Sequence, residues 1–357
     1  MNVIHIVGAR PNFMKSAPVF RALSNRPLVQ QRIVHTGQHY DPNMSDVFFQ
    51  QLAMPVPEFN LQVGSASHAQ QTAEIMRRFE PIVIEQRPDW VLVYGDVNST
   101  VAASLVCSKL GIRVAHVEAG LRSFDRRMPE EINRLITDQL SDLLFTPSED
   151  GNRNLVREGI DTAKIHFVGN VMIDTLVRML PRAALERPPD VPDEYALVTL
   201  HRPSNVDDLD WLAGMIDTLA TFSKQLPVVF PIHPRTRERL QAARISVTNG
   251  TFHLMDPIPY LAFLRLQQKA KVVITDSGGI QEETTFLQVP CLTVRDNTER
   301  PITVDMGTNE LVGRDLAALS TALSRILAGT TKRGNIPLLW DGHAAERIVS
   351  VLLQACS

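Results

Sequence analysis

Four acid–base side chains stand at the ends of apolar runs in this 357-residue chain. Asp96 follows WVLVYG, Glu118 follows RVAHV, His201 follows YALVTL, and Glu130 opens the helical stretch PEEINR. Carboxylates whose surroundings push their pKa values apart can divide acid and base duties, with a histidine as a further proton carrier. A second set suits an anion. In KVVITDSGGIQEE, a β-branched apolar run stops at Asp276-Ser277-Gly278-Gly279, and a helix carrying Glu282 and Glu283 follows at once. Glycines at such a junction admit a ligand close to the backbone, and the open N–H groups and dipole of the helix favour a phosphate. A carboxylate one turn further in is placed to accept hydrogen bonds from sugar hydroxyls. Arg10 and Lys15, after VIHIVGA, sit at a helix start where both could meet a diphosphate.

Each residue also has a plainer reading. Asp96 suits a helix cap, Glu130 and Arg134 suit an i,i+4 pair, and Arg295 and Arg300 could bind phosphate or pair with the acids of DNTE between them. His116, inside RVAHV, reads as a packed core histidine. His201 and His233 leave two strands on one edge, but neither has a carboxylate or cysteine at metal-ligand spacing. There is no nucleophile elbow, no Walker lysine motif, no GxGxxG and no redox fingerprint. What remains is proton transfer on a nucleotide-bound substrate, with the substrate left open.

These residues need elements to hold them, and short β-rich runs alternating with amphipathic stretches supply those. Strands are expected at Val3–Val7, Arg32–Thr36, Trp90–Tyr94, Arg113–Val117 and Leu143–Thr146, then at Ala196–Leu200, Val228–Ile232, Lys271–Thr275 and Leu292–Val294. Helices fall between them. The pattern predicts an α/β protein of two doubly wound, Rossmann-like parallel-sheet domains facing across a cleft, with ligands beyond the carboxyl ends of the strands. The expected domains are residues 1–169 and 194–342. A helix around Val171–Leu180 gives way at Pro181, and a proline-rich stretch completes a linker over 170–193. The tail, about 343–355, reads as an amphipathic helix.

A net charge of −3 with mixed signs leaves no footprint for nucleic acid or an anionic membrane. Three scattered cysteines, Cys107, Cys291 and Cys356, fit a reducing cytosol better than disulfides or zinc. With no leader before VIHIVG and no apolar run near the ~18–20 residues of a membrane span, a soluble cytoplasmic protein is expected.

The motifs GARPNFMK, YGD, HVEAGLRS, MPEEINR, TLHRP, DSGGIQEE and NTERP, in this order from Val3 to about Gly313, resemble the non-hydrolysing UDP-N-acetylglucosamine 2-epimerases. The resemblance implies a glycosyltransferase-B-like fold, an active site in the interdomain cleft, and a C-terminal helix crossing back onto the first domain. It also implies a homodimer, a UDP-sugar substrate and no redox cofactor. The family's reaction interconverts UDP-N-acetylglucosamine and UDP-N-acetylmannosamine through a 2-acetamidoglucal. By motif, Asp96, Glu118, Glu130 and His201 match the catalytic groups. Arg10, Lys15 and Arg300 match substrate or diphosphate contacts, and Arg134 and His233 join the expected substrate-binding set. Ser277, Gly278 and Gly279 match the phosphate cradle, Glu283 the ribose-binding acid, and Phe263 a residue near the uracil. Two departures stand out. Gln38-His39-Tyr40-Asp41 puts an acid where bacterial members often have QHR at an effector site, which would repel an anionic activator. Ile258 replaces a common glutamine near the base.

Overall fold

The computed structural model describes residues 1–37, 51–186, 190–245 and 250–355. The chain forms two compact units: one of residues 1–175 and 338–357, the other of residues 176–337. The departure at Gln38–Asp41 lies outside the described residues.

The first unit contains strands β1 (Asn2–Val7), β2 (Gln30–His35), β3 (Phe59–Asn60), β4 (Trp90–Tyr94), β5 (Val114–Val117), β6 (Leu143–Thr146) and β7 (Ile165–Phe167). Among the described residues they form one sheet in the order β3-β2-β1-β4-β5-β6-β7, with every neighbouring pair parallel. The WVLVY run shows why the sheet is covered on both faces. All five residues of β4 are buried; Trp90, Leu92 and Tyr94 enter one apolar cluster, while Val91 and Val93 enter the other.

The second unit repeats this plan with β8 (Ala196–Thr199), β9 (Val228–Pro231), β10 (Phe252–Met255), β11 (Val272–Thr275), β12 (Cys291–Thr293) and β13 (Asn309–Leu311). Their order is β10-β9-β8-β11-β12-β13, again all parallel. Val272 and Ile274 pack to one side of that sheet and Val273 to the other. In each sheet the order reverses between a first and a fourth strand, β1/β4 and β8/β11. The crossovers there depart to opposite faces and leave a crevice at the carboxyl ends.

The expected strands and helices are present, with shifted ends and additions. The short strands β3, β7, β10 and β13 carry too few residues to signal a period. The helix expected to stop at Pro181 runs from Val171 to Leu185. A proline removes one helical hydrogen bond, and the burial of Met179 and Ala183 on either side offsets that loss. The helix expected to follow Gly279 begins instead at Gly278, so both glycines lie inside its first turn, where their N–H groups have no intrahelical acceptor.

The C-terminal segment belongs to the first unit. Helix Ala344–Gln354 buries Ile348, Val349 and Leu352 beside Val19 and Leu23 of helix Arg10–Ser24. Trp340 Nε1 donates to the Pro147 carbonyl at 2.9 Å. A cap from elsewhere in the chain starts the helix, since His343 gives it none. Asp174 accepts from the N–H groups of Ala344 (3.1 Å) and Ala345 (2.7 Å).

Burial pushes the Asp174 carboxyl up from 3.8 to about 6, with Glu346 and Asp341 adding repulsion against the lowering effect of the two N–H donors. A raised folded-state value means that the native state holds this proton more tightly than the unfolded chain. The resulting stability is fully present below about pH 4 and is lost as pH rises through about 6, a span on the order of 3 kcal/mol. Asp174→Asn is therefore expected to remove a falling component of stability between those limits. Urea unfolding of wild type and variant at pH 4.5 and 7 measures it: the variant should gain on the wild type as pH rises, and an unchanged gap would refute the assignment.

Candidate active site

In the first unit, the β1/β4 switch point is built around Asn12 and Lys15 of helix Arg10–Ser24. Asn12 Oδ1 accepts from the N–H groups of Gly8 (3.1 Å) and Ala9 (3.0 Å), while its Nδ2 donates to the Tyr94 carbonyl at 2.7 Å. This ties the turn after β1 to the end of β4. Lys15 Nζ then meets Glu118 Oε1 at 2.6 Å, and both side chains are buried. Gly95 makes room: it has φ +64°, and a Cβ there would lie 2.6 Å from Lys15 Nζ. Glu118 itself holds φ +74°. A non-glycine residue in that region carries backbone strain that the surrounding contacts must sustain. The N–H groups of Glu118 and Ala119 both donate to the Phe145 carbonyl of β6, fixing the distorted turn.

Asp96 does not cap the next helix, whose N-cap is Val97 with no side-chain cap. Its carboxylate pairs with Arg134 Nη1, and Asn133 Nδ2 donates to its carbonyl at 2.9 Å. Arg134 also binds Glu131 Oε2 at 2.6 Å, so its ion-pair partners are Asp96 and Glu131 rather than Glu130. Glu131 is buried, which opposes ionisation. The N–H groups of Ser123 and Phe124 and the Arg134 guanidinium outweigh that and hold its carboxyl below the usual range. Glu130, next along, is half-buried. The side chain of Arg10 lies outside the described residues.

His116 is buried, as a core residue would be, but it is not apolar packing. Its Nδ1 lies 2.6 Å from Asp138 Oδ1 and its Nε2 2.8 Å from the Gly95 carbonyl. Asp138 also accepts from the Gly120 N–H at 3.1 Å and pairs with Arg122 at 2.7 Å. Complete burial opposes its charge, and His116 and Arg122 more than compensate, holding the carboxyl low. This cluster links the turn that carries Asp96, the turn after Glu118, and the helix Pro129–Leu140.

In the second unit, the β8/β11 switch point centres on Asp276, which is fully buried. Its carboxylate accepts from the N–H groups of His201 (3.1 Å to Oδ2) and Arg202 (2.9 Å), and from Asn205 Nδ2 at 3.1 Å. His201 Nδ1 lies 2.9 Å from Oδ1. Burial raises the cost of charge on Asp276, yet His201 and these donors keep its carboxyl below the ordinary value. His233 is exposed, with its ring centroid 6.1 Å from that of His201.

Ser277 is the N-cap of helix Gly278–Leu287 and makes no side-chain cap, so the cap does not consume the first-turn N–H groups. Arg300 stands at this helix start: a Cβ on Gly278 would come within 2.5 Å of its Nη1. Two carboxylates hold that guanidinium, Glu282 at 2.9 Å and Glu299. Glu299 is buried, but Arg300 and Arg295 drive its carboxyl well below the usual range. Arg295 and Arg300 thus pair with an acid of the intervening loop. Glu283 accepts from Tyr260 Oη at 2.8 Å, and Phe263 and Ile258 are half-buried against the apolar cluster of Leu197 and Val273.

The first unit therefore brings together Lys15, Asp96, Glu118 and Arg134, with Glu130 on the same helix as Arg134. The second assembles His201, His233, Ser277, Gly278, Gly279, Glu283 and Arg300. The sequence reading gave no role to Asn12 or Glu131, offered Glu299 only as a partner of Arg295 and Arg300, and read Asp276 only as the start of the glycine turn. Asp276 bonds a residue 75 positions away, which no local spacing signals. Among the described residues, no cluster of three or more His, Cys, Asp or Glu side chains could hold a metal ion. No helix among them is long and apolar enough to cross a membrane.

Comparison with known proteins agrees with this layout. A family model described as UDP-N-acetylglucosamine 2-epimerase matches residues 21–353. The UDP-N-acetylglucosamine 2-epimerase of Methanocaldococcus jannaschii is 42% identical over 366 residues, covering 99% of both chains. Its crystal structure in complex with UDP-GlcNAc and UDP superposes with a TM-score of 0.92 over 99% of this chain and 100% of that one. The UDP-2,3-diacetamido-2,3-dideoxy-D-glucuronate 2-epimerase of Pseudomonas aeruginosa is 41% identical over 357 residues, 99% of each chain. A sucrose-phosphate synthase from Thermosynechococcus elongatus, at 15% identity and TM-score 0.60, shares the fold alone. The fold class is thus α/β with two parallel-sheet domains, glycosyltransferase-B-like, and the chain belongs to the UDP-N-acetylglucosamine 2-epimerase family.

Proposed function

We propose that this epimerase interconverts UDP-N-acetylglucosamine and UDP-N-acetylmannosamine without net hydrolysis, the second unit holding the uridine diphosphate and contributing His201, and the first supplying the carboxylates that exchange the C2 proton. The observation that carries the reading is the pair of carboxylates leaving neighbouring strands, Asp96 after β4 and Glu118 after β5, each on its own cation, Arg134 and Lys15. Two acid–base groups with separate partners are what inversion at carbon requires, because the proton leaves one face and returns to the other.

The C2 proton is barely acidic, so the C1–O bond must loosen as that proton departs. A base takes the C2 proton, the C–H electron pair forms the C1–C2 double bond, and UDP leaves with the C1–O pair, giving a 2-acetamidoglucal. A group on the opposite face then protonates C2 while a β-phosphate oxygen re-forms the bond to C1. Atoms and electrons balance with no oxidant. In this assignment Asp96, Glu118, Glu130 and His201 carry protons or stabilise positive character at the ring. Arg10, Lys15, Arg134, His233 and Arg300 serve the substrate. Ser277, Gly278 and Gly279 cradle the phosphates, Glu283 binds the ribose, and Phe263 lies by the uracil. Support for the nucleotide half comes from the M. jannaschii relative bound to UDP-GlcNAc and UDP. A second reading has equal support from sequence: the P. aeruginosa relative, at 41% identity, acts on a diacetamido uronate.

Incubation with UDP-N-acetylglucosamine in D₂O, followed by NMR, separates these. Deuterium at C2 in a mixture of two UDP-sugars is expected. Release of free sugar with UDP would instead mean a hydrolysing epimerase, and exchange only in the diacetamido uronate would transfer the assignment to that sugar. Asp96→Asn and His201→Ala should each slow C2 exchange by about 10²–10⁴-fold while titration calorimetry finds UDP affinity within about threefold of wild type. Either variant turning over normally removes that residue from the mechanism.

A further inference from the structure

We propose that Asp276 is a positioning residue for His201, fixing its imidazole as the Nδ1–H tautomer so that Nε2 presents the lone pair to the substrate. The inference rests on the reading of His201 as a proton-transfer group and adds the partner that gives it a defined state. Asp276 is fully buried at the end of β11, level with the end of β8, where Thr275 pairs with Thr199. Its two oxygens have different tasks. Oδ2 receives the N–H groups of His201 (3.1 Å) and Arg202 (2.9 Å) and the Asn205 amide (3.1 Å). Oδ1 faces His201 Nδ1 at 2.9 Å, with a longer contact of 3.2 Å from the His201 N–H.

A carboxylate accepts only, so the nitrogen facing it must be a donor. In a neutral imidazole the other nitrogen is then the acceptor, which is the form a base needs. The same carboxylate holds the backbone at His201 and Arg202, so ring and turn are anchored to one buried group. The Arg202 guanidinium closes the arrangement, its Nε donating to the Asp276 carbonyl at 2.9 Å. When Nε2 takes a proton, Asp276 stays ionised and faces the new imidazolium without any proton moving to it. The His201 side chain is 41% exposed, so enclosure of the ring does not set its tautomer; the contact with the buried carboxylate does.

Asp276→Asn tests this sharply. Three donors converge on Oδ2, so the amide oxygen of an asparagine would turn there and its NH₂ would face Nδ1. That would force the Nε2–H tautomer, with the ring still in place. With ¹⁵N-labelled histidine, two-bond ¹H–¹⁵N spectra near pH 8.5, with His201 assigned from its loss in His201→Gln, should show Nδ1–H in the wild type. An Nε2–H tautomer, or an imidazolium at that pH, overturns the proposal whether or not Asp276→Asn folds. Asp276→Asn should lower the C2 exchange rate by about 10²-fold with UDP affinity within about twofold, and should switch the tautomer. The double variant should be no slower than His201→Gln alone. Normal turnover in Asp276→Asn, with His201→Gln inactive, overturns the positioning role and leaves the proposed function standing. Normal turnover in His201→Gln sinks the catalytic reading of that histidine itself, and this proposal with it.

Discussion

Strand order constrains everything else. In each sheet the chain reverses direction of growth between its first and fourth strands, β1/β4 and β8/β11, and the two crossovers depart to opposite faces. Backbone groups at the carboxyl ends there are not covered by a helix of the same sheet, so the fold must satisfy them with side chains. Asn12 does this in the first unit by bridging the turn after β1 to the Tyr94 carbonyl. Asp276 does it in the second, collecting N–H groups from the turn after β8. The residues that close the crevice structurally are the ones that set the geometry of its chemical groups.

Charge is buried at both places in pairs and triads, and burial alone would be costly. Removing a carboxylate and a cation from water costs several kcal/mol per ion, which their attraction offsets only with good geometry and further hydrogen bonds. Those bonds are present. Glu131 has two backbone donors besides Arg134, Asp138 has the Gly120 N–H besides His116 and Arg122, and Asp276 has the backbone N–H groups of His201 and Arg202 and the Asn205 amide besides the His201 ring. A hydrophobic substitute would fill the same volume at less cost. What the charged clusters provide is fixed orientation: the turns bearing Asp96 and Glu118 share the His116–Asp138 link, so neither can shift without disturbing the other.

Much of this was legible in the sequence because it depends on local pattern. Continuous apolar runs such as WVLVY and KVVIT mark strands buried on both faces, and polar residues just beyond them mark the edge where ligands bind. The position of Asp96, Glu118 and His201 therefore followed from order along the chain. Their partners did not. Arg134 sits four residues after Glu130 and three after Glu131; it takes the i,i+3 partner, and tertiary packing adds Asp96. Asp276 reads as the start of a phosphate loop, and only the parallel register of β8 with β11 brings it to His201. His116 reads as core because burial is legible from its neighbours, whereas the ion pair below it is not.

The glycines show how far a local argument can be right about freedom and incomplete about its use. The sequence argues for glycine at a helix start so that a phosphate can approach the backbone. In both units the space a Cβ would fill is taken by one of the protein's own cations: Lys15 Nζ at Gly95 and Arg300 Nη1 at Gly278. Each cation is held by buried carboxylate, Glu118 for Lys15 and Glu282 with Glu299 for Arg300. An ammonium or guanidinium left to swing in solvent would lose rotamer entropy on meeting an anion. One already fixed against the backbone loses little, and its carboxylate partners limit the net positive charge held there. A diphosphate arriving at Gly278 would thus meet open first-turn N–H groups beside a guanidinium whose position was set during folding. Pre-organisation of that kind lets the charge of a leaving group be met without rearrangement at the moment the bond breaks.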